Sequence, residues 1–148
     1  KRWTREGFAS VSDRIIDELG LDVVMIGDSQ DTEIIRGISP LMKNGIFDLS
    51  GKLTLRELGA LLRNARLLIT NDSAPMHIAC AMDSPVVAVF GPTDPRKYGP
   101  RDKAGVVIRK TLECSPCEVA QCAKKHECMN LISPDEVFAA AKAVILKT

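Results

Sequence analysis

Residues 67–90 read LLITNDSAPMHIACAMDSPVVAVF, two short apolar runs separated by a segment with helical spacing. The runs at 67–70 and 86–90 are continuous and rich in β-branched residues, which is typical of strands buried on both faces of a parallel sheet. Residues 73–82 lie between them and begin with Ser-Ala-Pro, and proline is favoured in the first turn of a helix. The stretch therefore predicts a strand–helix–strand unit.

The same alternation extends outward from this unit in both directions. Helices are predicted over 5–19, over 34–45 and from Ser133 to about residue 147. A further helix is predicted to begin at Thr54 and to bury Leu55, Leu58, Leu61 and Leu62. Further strands are predicted at 23–26, with both faces buried, at 46–49 and at 106–109. Strands that alternate with helices predict a Rossmann-like α/β fold, a parallel sheet with crossover helices. That pattern calls for a strand before the first helix, so we expect a fragment of a longer protein.

Composition narrows the class of protein. The 148 residues suffice for a single domain, 1–148, and carry 20 Lys and Arg against 19 Asp and Glu, a net charge of +1. A near-neutral balance argues against a protein that coats nucleic acid and against a polybasic membrane binder. No uncharged apolar run approaches the roughly 18 residues of a membrane span, and KRWTREGF lacks the apolar core of a secretory signal. We expect a cytoplasmic domain without a nucleic-acid partner.

Ligands of open parallel sheets bind beyond the carboxyl ends of the strands. Three loops qualify, at 27–31, 70–75 and 91–95. The middle loop opens a helix whose unpaired N–H groups attract anions, and the donors available there are the amides of Ser73, Ala74 and Met76. The Ser73 hydroxyl and His77, one turn into the helix, add further polar groups. The alternative is purely structural, with Asp72 as an N-cap and His77 bonded to a backbone carbonyl.

Residues 67–100 resemble the signature segment of glycosyltransferase family 9, the lipopolysaccharide heptosyltransferases. The family pattern is an acidic residue, Ser or Thr, Gly, two variable positions and His, followed by a Pro-Val run and Phe-Gly-Pro-Thr-Asp-Pro. The matching residues are Asp72, Ser73, Met76, His77, Pro85, Val86, Phe90, Gly91, Pro92, Thr93, Asp94 and Pro95. Ala74 stands where the family usually has glycine, and its methyl group is expected to weaken phosphate binding. Lys1-Arg2-Trp3, Gly27 with Asp31 and Glu33, and 49–52 with Leu55 resemble further family blocks.

The resemblance implies the C-terminal, donor-binding half of an inverting GT-B glycosyltransferase. Such an enzyme moves heptose from ADP-heptose to the inner core of lipopolysaccharide, at the inner face of the bacterial inner membrane. The acceptor, lipid A–core, and the catalytic base belong to the absent N-terminal domain. We therefore expect this fragment to hold no catalytic residue and to be inactive alone. A basic stretch at 96–110 is a candidate for peripheral contact with acceptor lipid, or simply a solvated loop.

The resemblance also assigns roles to individual residues. Donors at the helix start oppose the negative charge that grows on the departing ADP, so catalysis needs no cofactor. The diphosphate site comprises Lys1, Asp72, Ser73, Ala74, Met76 and His77. Asp31 or Glu33 would bind ribose, by analogy with Rossmann sites, and Leu53 would line the adenine pocket. Thr93 and Asp94 would touch phosphate or sugar. The structural alternatives are helix-start charge for Asp31 and Glu33, core for Leu53, and a self-bonded turn for Thr93 and Asp94.

Four cysteines, Cys114, Cys117, Cys122 and Cys128, cluster in one stretch with His126 among them. A Cys-x-x-Cys turn can place two thiolates on a structural zinc ion, with two more from the same loop. Redox-active, free or disulfide-bonded thiols are the alternatives. Cys80 is expected in the core. A second interpretation of the whole chain is a non-catalytic nucleotide- or protein-binding Rossmann-like module with a metal-stapled loop, because this fold serves both binding and catalysis.

Overall fold

The computed structural model describes residues 2–100, 105–119 and 121–147. Its strands are β1 (Val24–Met25), β2 (Phe47–Asp48), β3 (Leu68–Asn71), β4 (Val86–Phe90) and β5 (Gly105–Arg109). Its helices are α1 (Arg5–Leu19), α2 (Thr32–Arg36), α3 (Leu55–Asn64), α4 (Ala74–Ala81), α5 (Pro95–Tyr98), α6 (Glu127–Asn130) and α7 (Pro134–Ile145), with a 3-10 turn at Ser39–Leu41.

Strand β4 is the centre of the molecule. It pairs in parallel with β3 on one edge and β5 on the other, and Val87 lies opposite both Ile69 and Val106. All five residues of β4 are fully buried. The prediction of a strand buried on both faces is confirmed here, because β4 has helices above and below it.

The two faces of β4 pack against different helices. Val87 and Val89 join a cluster with side chains of α1 and α7, whereas the alternate residues of β4 join a cluster with side chains of α3 and α4. This alternation follows from the period of two in a strand. The result is the α/β arrangement that the sequence predicts, with helices on both faces of a parallel sheet.

Strands β1 and β2 form a separate parallel pair, which the sequence did not indicate. Val23 packs against the α1–α7 side of the core and Ile26 against the α3–α4 side. Val24, however, is 36% exposed and Phe47 60% exposed. The prediction of a strand buried on both faces is therefore wrong for β1. Its one partner among the described strands is β2, so its other edge and part of its surface stay open.

Three details of the helices differ from the predictions. The helix predicted over 34–45 ends at Arg36 and resumes as a 3-10 turn containing Pro40, since proline lacks the N–H that would continue an α-helix. Leu55 is 76% exposed rather than buried, because it lies in the first turn of α3, whereas Leu62 near the other end packs with Ala79 of α4. The short helices α5 and α6 were not predicted.

The helix ends follow the sequence signals. Thr54 with Glu57 and Ser133 with Glu136 form complete capping boxes at the starts of α3 and α7. Gly20 ends α1 in the left-handed conformation, with φ of 63°. Among the described residues, no helix combines the length and apolar character that a bilayer crossing demands.

Candidate functional site

The candidate site lies at the carboxyl ends of the strands, where two long-range contacts bring the loops together. The Arg2 guanidinium donates to Asp31 Oδ1 at 2.7 Å, after β1, and the Trp3 N–H donates to Asn71 Oδ1 at 2.8 Å, at the end of β3. Trp3 itself is 3% exposed. Residues 2 and 3 thus join the loop after β1 to the end of β3.

The start of α4 presents an accessible amide. Ser73 is the N-cap, with extended backbone, and its hydroxyl is hydrogen-bonded to Thr70 Oγ1 at 3.0 Å and donates to the Asn71 carbonyl at 3.3 Å. Asp72 therefore is not the N-cap of this helix, contrary to the structural alternative. Ala74, the first residue of α4, is exposed. Its N–H lies among those that the helix itself leaves unpaired, where a helix start attracts anions.

Met76 does not contribute a donor. Its N–H donates to the Ser73 carbonyl at 3.1 Å, and its side chain is fully buried beneath β4 with Phe90 and Leu62. The expectation that the Met76 amide is available to a ligand is therefore wrong, and the amides of Ser73 and Ala74 remain the candidates. The sequence pattern could not show this, because the tightened first turn depends on the extended conformation of Ser73.

His77 is exposed and lines a cavity of about 310 Å³ between α4 and α5. The remaining lining residues are Cys80, Ala81, Lys97, Tyr98, Gly99 and Pro100. That volume is at the lower end of small-molecule sites, enough for one part of a nucleotide sugar. The sequence reasoning did not select Tyr98; an aromatic residue three positions after the Gly-Pro-Thr-Asp-Pro loop was the available signal.

Asp94 and Thr93 play different parts in the loop after β4. Asp94 is 4% exposed and accepts hydrogen bonds from the backbone N–H of Arg96 at 2.9 Å and from its guanidinium. The Arg96 side chain, followed by its amide, lowers the pKa of Asp94 to about 2. The self-bonded turn is confirmed for Asp94, whose oxygens are occupied. Thr93 is 5% exposed, and its Oγ1 is one of the buried polar atoms without a partner within the described ranges.

The proposed nucleoside residues gather at the neighbouring strand ends. Asp31 is paired with Arg2, whereas Glu33 is exposed in the first turn of α2. Gly51, at φ of 68°, brings the loop after β2 close to the loop after β1, where an added Cβ would lie 3.3 Å from Ser29 Cα. Leu53 follows this turn half-buried and belongs to neither of the two core clusters.

Comparison with known proteins assigns this arrangement to a family. The model of "Glycosyltransferase family 9 (heptosyltransferase)" matches residues 1–127. The chain belongs to glycosyltransferase family 9. A family 9 structure from Veillonella parvula superposes with a TM-score of 0.89 at 31% identity, covering all of this chain and 43% of that one.

Two further relatives agree with this assignment to family 9. The structure of E. coli ADP-heptose LPS heptosyltransferase II superposes with a TM-score of 0.86 at 28% identity, covering 99% of this chain and 43% of that one. Lipooligosaccharide heptosyltransferase 2 of Haemophilus influenzae is 32% identical over 113 residues, which are 74% of this chain and 32% of the relative. The chain thus spans between about a third and a half of the family members it matches.

The basic stretch of this family 9 chain is largely neutralised. Arg96 pairs with Asp94, Lys97 with Glu118 and Lys110 with Glu136. Arg109 donates to the Ser115 carbonyl at 3.4 Å. The remaining basic residues, at 101 and 103, lie outside the described ranges, as does Lys1. The described part of the stretch therefore resembles a paired surface more than a free cationic patch.

Four cysteines of this family 9 chain, Cys114, Cys117, Cys122 and Cys128, are reduced and line one small cavity. Within residues 2–100, 105–119 and 121–147, no three His, Cys, Asp or Glu side chains are arranged so that they could hold a metal ion. Cys80 packs against the cluster of α3 and α4, as expected.

Proposed function

We propose that this chain is the donor-binding half of an inverting glycosyltransferase that moves heptose from ADP-heptose to the inner core of lipopolysaccharide. The observation that carries the proposal is the start of α4. There the exposed Ala74 follows the extended Ser73 at the carboxyl end of β3, and His77 lies one turn further along the helix. A nucleoside diphosphate offers the negative charge that such a helix start binds. The E. coli relative named for ADP-heptose supports the adenine nucleotide.

The contribution of this half is to stabilise the departing ADP. Negative charge grows on the diphosphate as the bond from the anomeric carbon to the phosphate oxygen breaks, and preorganised amides oppose that charge without solvent reorganisation. Ser73 and Ala74 supply these amides, Lys1 adds a positive charge, and the unpartnered hydroxyl of Thr93 is a further donor on the next loop. This role needs no cofactor. The base that deprotonates the acceptor belongs to the other half.

The nucleoside is proposed to lie over the loops after β1 and β2. Glu33 is the better ribose acceptor of the two candidates, because Asp31 is already paired with Arg2. Leu53 would pack against adenine from the turn at Gly51, which the positive φ of that glycine shapes. The adenine and the diphosphate would then occupy adjacent strand ends of the same sheet edge, as in other doubly wound folds.

We propose that the N-terminal half precedes this chain and that a strand leads from it into residue 2. The described strands form two sheets, β1–β2 and β3–β4–β5, and the contacts of Arg2 and Trp3 join the loop after β1 to the end of β3. A strand entering at residue 2 would fit between β1 and β3 and make one continuous sheet. The same N-terminal half would bind lipid A–core in the cytoplasm, at the inner face of the membrane.

Calorimetric titration tests the proposed function. We expect the chain to bind ADP and ADP-heptose, not UDP-sugars, and to transfer no sugar by itself. Ala74→Pro, which removes one of the two amides, and Lys1→Ala should weaken ADP binding, whereas Ser10→Ala on α1 should leave it unchanged. Binding that ignores these two substitutions would contradict the assignment of the site. Absence of binding by any nucleotide would favour the alternative, a non-catalytic protein-binding module.

A further inference from the structure

Four cysteine side chains line one cavity next to the loop after β4. The cavity has a volume of about 40 Å³, room for an ion or a water molecule and far too little for a nucleotide. Its polar and ionisable lining comprises Cys114, Cys117, Cys122 and Cys128 together with Ser115, Lys124, His126 and Glu127. All four thiols are free. Cysteines separated by up to 14 positions in sequence thus line a space that suits a single ion.

The backbone around these cysteines holds an unusual shape. Glu118, directly after Cys117, has φ of 53°, and Lys125 and His126 have φ of 49° and 58°. Such non-glycine conformations persist only where the surroundings impose them. The His126 N–H donates to Cys122 Sγ at 3.2 Å. The backbone of the loop is therefore held in part by a hydrogen bond to sulfur.

The side chains that line the cavity favour a soft cation. Cys114, Cys117, Cys122 and Cys128 supply four sulfur atoms, which repel one another as thiolates unless a positive ion lies among them. A soft divalent ion removes that repulsion, and four sulfur ligands in a tetrahedron select zinc or iron.

We propose that Cys114, Cys117, Cys122 and Cys128 bind one structural metal ion, Zn²⁺ or Fe²⁺, in a tetrahedral thiolate site. Each of the four thiols loses a proton to solvent as its sulfur bonds to the ion, so no oxidant is required. The thiols line one cavity but are not arranged around a common point in the described residues, so ion binding requires rotation about their Cα–Cβ bonds. His126 lies beside the site without being a required ligand.

The metal ion would stabilise the loop after β4, residues 91–95. The N–H groups of Cys117 and Glu118 both donate to the Pro92 carbonyl at 2.9 Å, and the Ser115 hydroxyl donates to the Gly91 carbonyl at 2.8 Å. Glu118 also pairs with Lys97 of α5. Fixing the cysteine loop therefore fixes Gly91, Pro92 and the residues that follow them. This consequence, unlike the metal site itself, rests on the proposed function.

Metal analysis of the purified chain tests the site without any nucleotide. The chain is isolated under reducing conditions without metal-affinity chromatography, and zinc and iron are measured by mass spectrometry. We expect about one ion per chain. The Cys114→Ser/Cys117→Ser variant should lose it, and Cys80→Ala should retain it. Either zinc or iron supports the proposal. Protein that contains neither metal, or that contains disulfides among these four cysteines without added oxidant, overturns it.

Cobalt reconstitution of the wild-type chain tests the site even if the cysteine variant fails to fold. The wild-type chain is stripped with a chelator and titrated with Co²⁺, which gives intense visible bands in a tetrahedral thiolate site and weak ones in an octahedral site. Intense bands that saturate at about one equivalent support four-sulfur ligation, and weak bands contradict it. ADP titration of the stripped chain then tests the stabilisation of residues 91–95. Retention of full ADP affinity would refute that stabilisation alone, whereas loss of the metal site leaves the nucleotide assignment standing.

Discussion

Trp3 and Asn71, which lie 68 positions apart, are joined by a hydrogen bond of 2.8 Å from the Trp3 N–H to Asn71 Oδ1. The Trp3 indole N–H donates at 3.0 Å to the Ile132 carbonyl, so the same residue is also held from the opposite end of the chain. Asn71 ends β3, two residues before the N-cap of α4. The position of the start of α4 is thereby tied to the beginning of the chain.

Substitution of Asn71 tests this tie. We expect Asn71→Ala to lower the free energy of unfolding by about 1–3 kcal/mol, because the Trp3 amide loses its acceptor. Asn71→Asp retains an acceptor oxygen and should stay close to wild type. Asn64→Ala, which removes an exposed hydrogen bond to Ala60, serves as the control. Urea unfolding measures all three. Equal destabilisation by Ala and Asp at position 71 would refute the hydrogen-bond explanation.

Two substitutions at position 74 test the roles of the backbone amide and of the side chain separately. Ala74→Pro removes the N–H at the first position of α4, where proline is well tolerated, and Ser73 already has the extended backbone that precedes proline. We expect ADP affinity to fall about tenfold, in line with about 1.5 kcal/mol for a hydrogen bond to a charged group. Ala74→Gly keeps the N–H and removes the methyl group, so it should bind ADP more tightly. Calorimetry should therefore show weaker ADP binding by Ala74→Pro and tighter ADP binding by Ala74→Gly. Affinity changes in the same direction would contradict the role of the amide.

Two carboxylates make stability sensitive to acid. The Arg96 side chain lowers the pKa of Asp94 from 3.8 to about 2, and the Lys110 side chain lowers the pKa of Glu136 from 4.5 to about 2. Depressed pKa values in the folded state mean that this stabilisation is present above about pH 4.5 and is lost as the pH falls toward 2. We expect the urea midpoint to decline across that window. The Asp94→Asn/Glu136→Gln variant should decline less, because amides do not titrate there.

The close approach of Gly91 to Met129 predicts a strong effect of one methyl group. A Cβ at position 91 would lie 2.7 Å from Met129 Cγ and closer still to its Sδ, and Met129 is 1% exposed. We expect Gly91→Ala to destabilise the fold by about 1–3 kcal/mol through overpacking. The same substitution should cost less in a Met129→Ala background, which a double-mutant cycle by thermal unfolding measures. Gly45→Ala, with open space around it, is the control.

Hydrogen exchange tests the proposed missing strand. If a strand fits between β1 and β3, amides on the open edges of these strands should exchange quickly in this chain and slowly in a version extended upstream. Amides of β4, which is paired on both edges, should be protected in both. Identical exchange on β1 and β3 with and without the upstream segment would argue against the strand.

Local patterns were sufficient for much of this architecture. The β-branched strand at Val86–Phe90 and the helix starts at Thr54 and Ser133 were predicted from sequence because short-range sterics and hydrogen bonds create them. Leu55 was misjudged because periodicity identifies the face of a helix and not how far its partner extends. The shortened helix α2 reflects Gly37 and Pro40, whose combined effect the apolar spacing concealed.

Some features of the candidate site were likewise predicted from sequence, whereas others required the tertiary structure. Sequence alone predicted the helix that follows β3, from the apolar run and the proline in its first turn, and the family resemblance made its start the candidate anion site. Only the tertiary structure showed that the Met76 amide is taken by Ser73, that Asp94 is bound by Arg96, and that Asp31 is bound by Arg2. The spacing of the cysteines suggested a common site, but their placement on one cavity beneath Pro92 depends on how the loop folds against β4. Sequence determines which groups are available, because their chemistry is local, and long-range packing decides which of them remain open to a ligand.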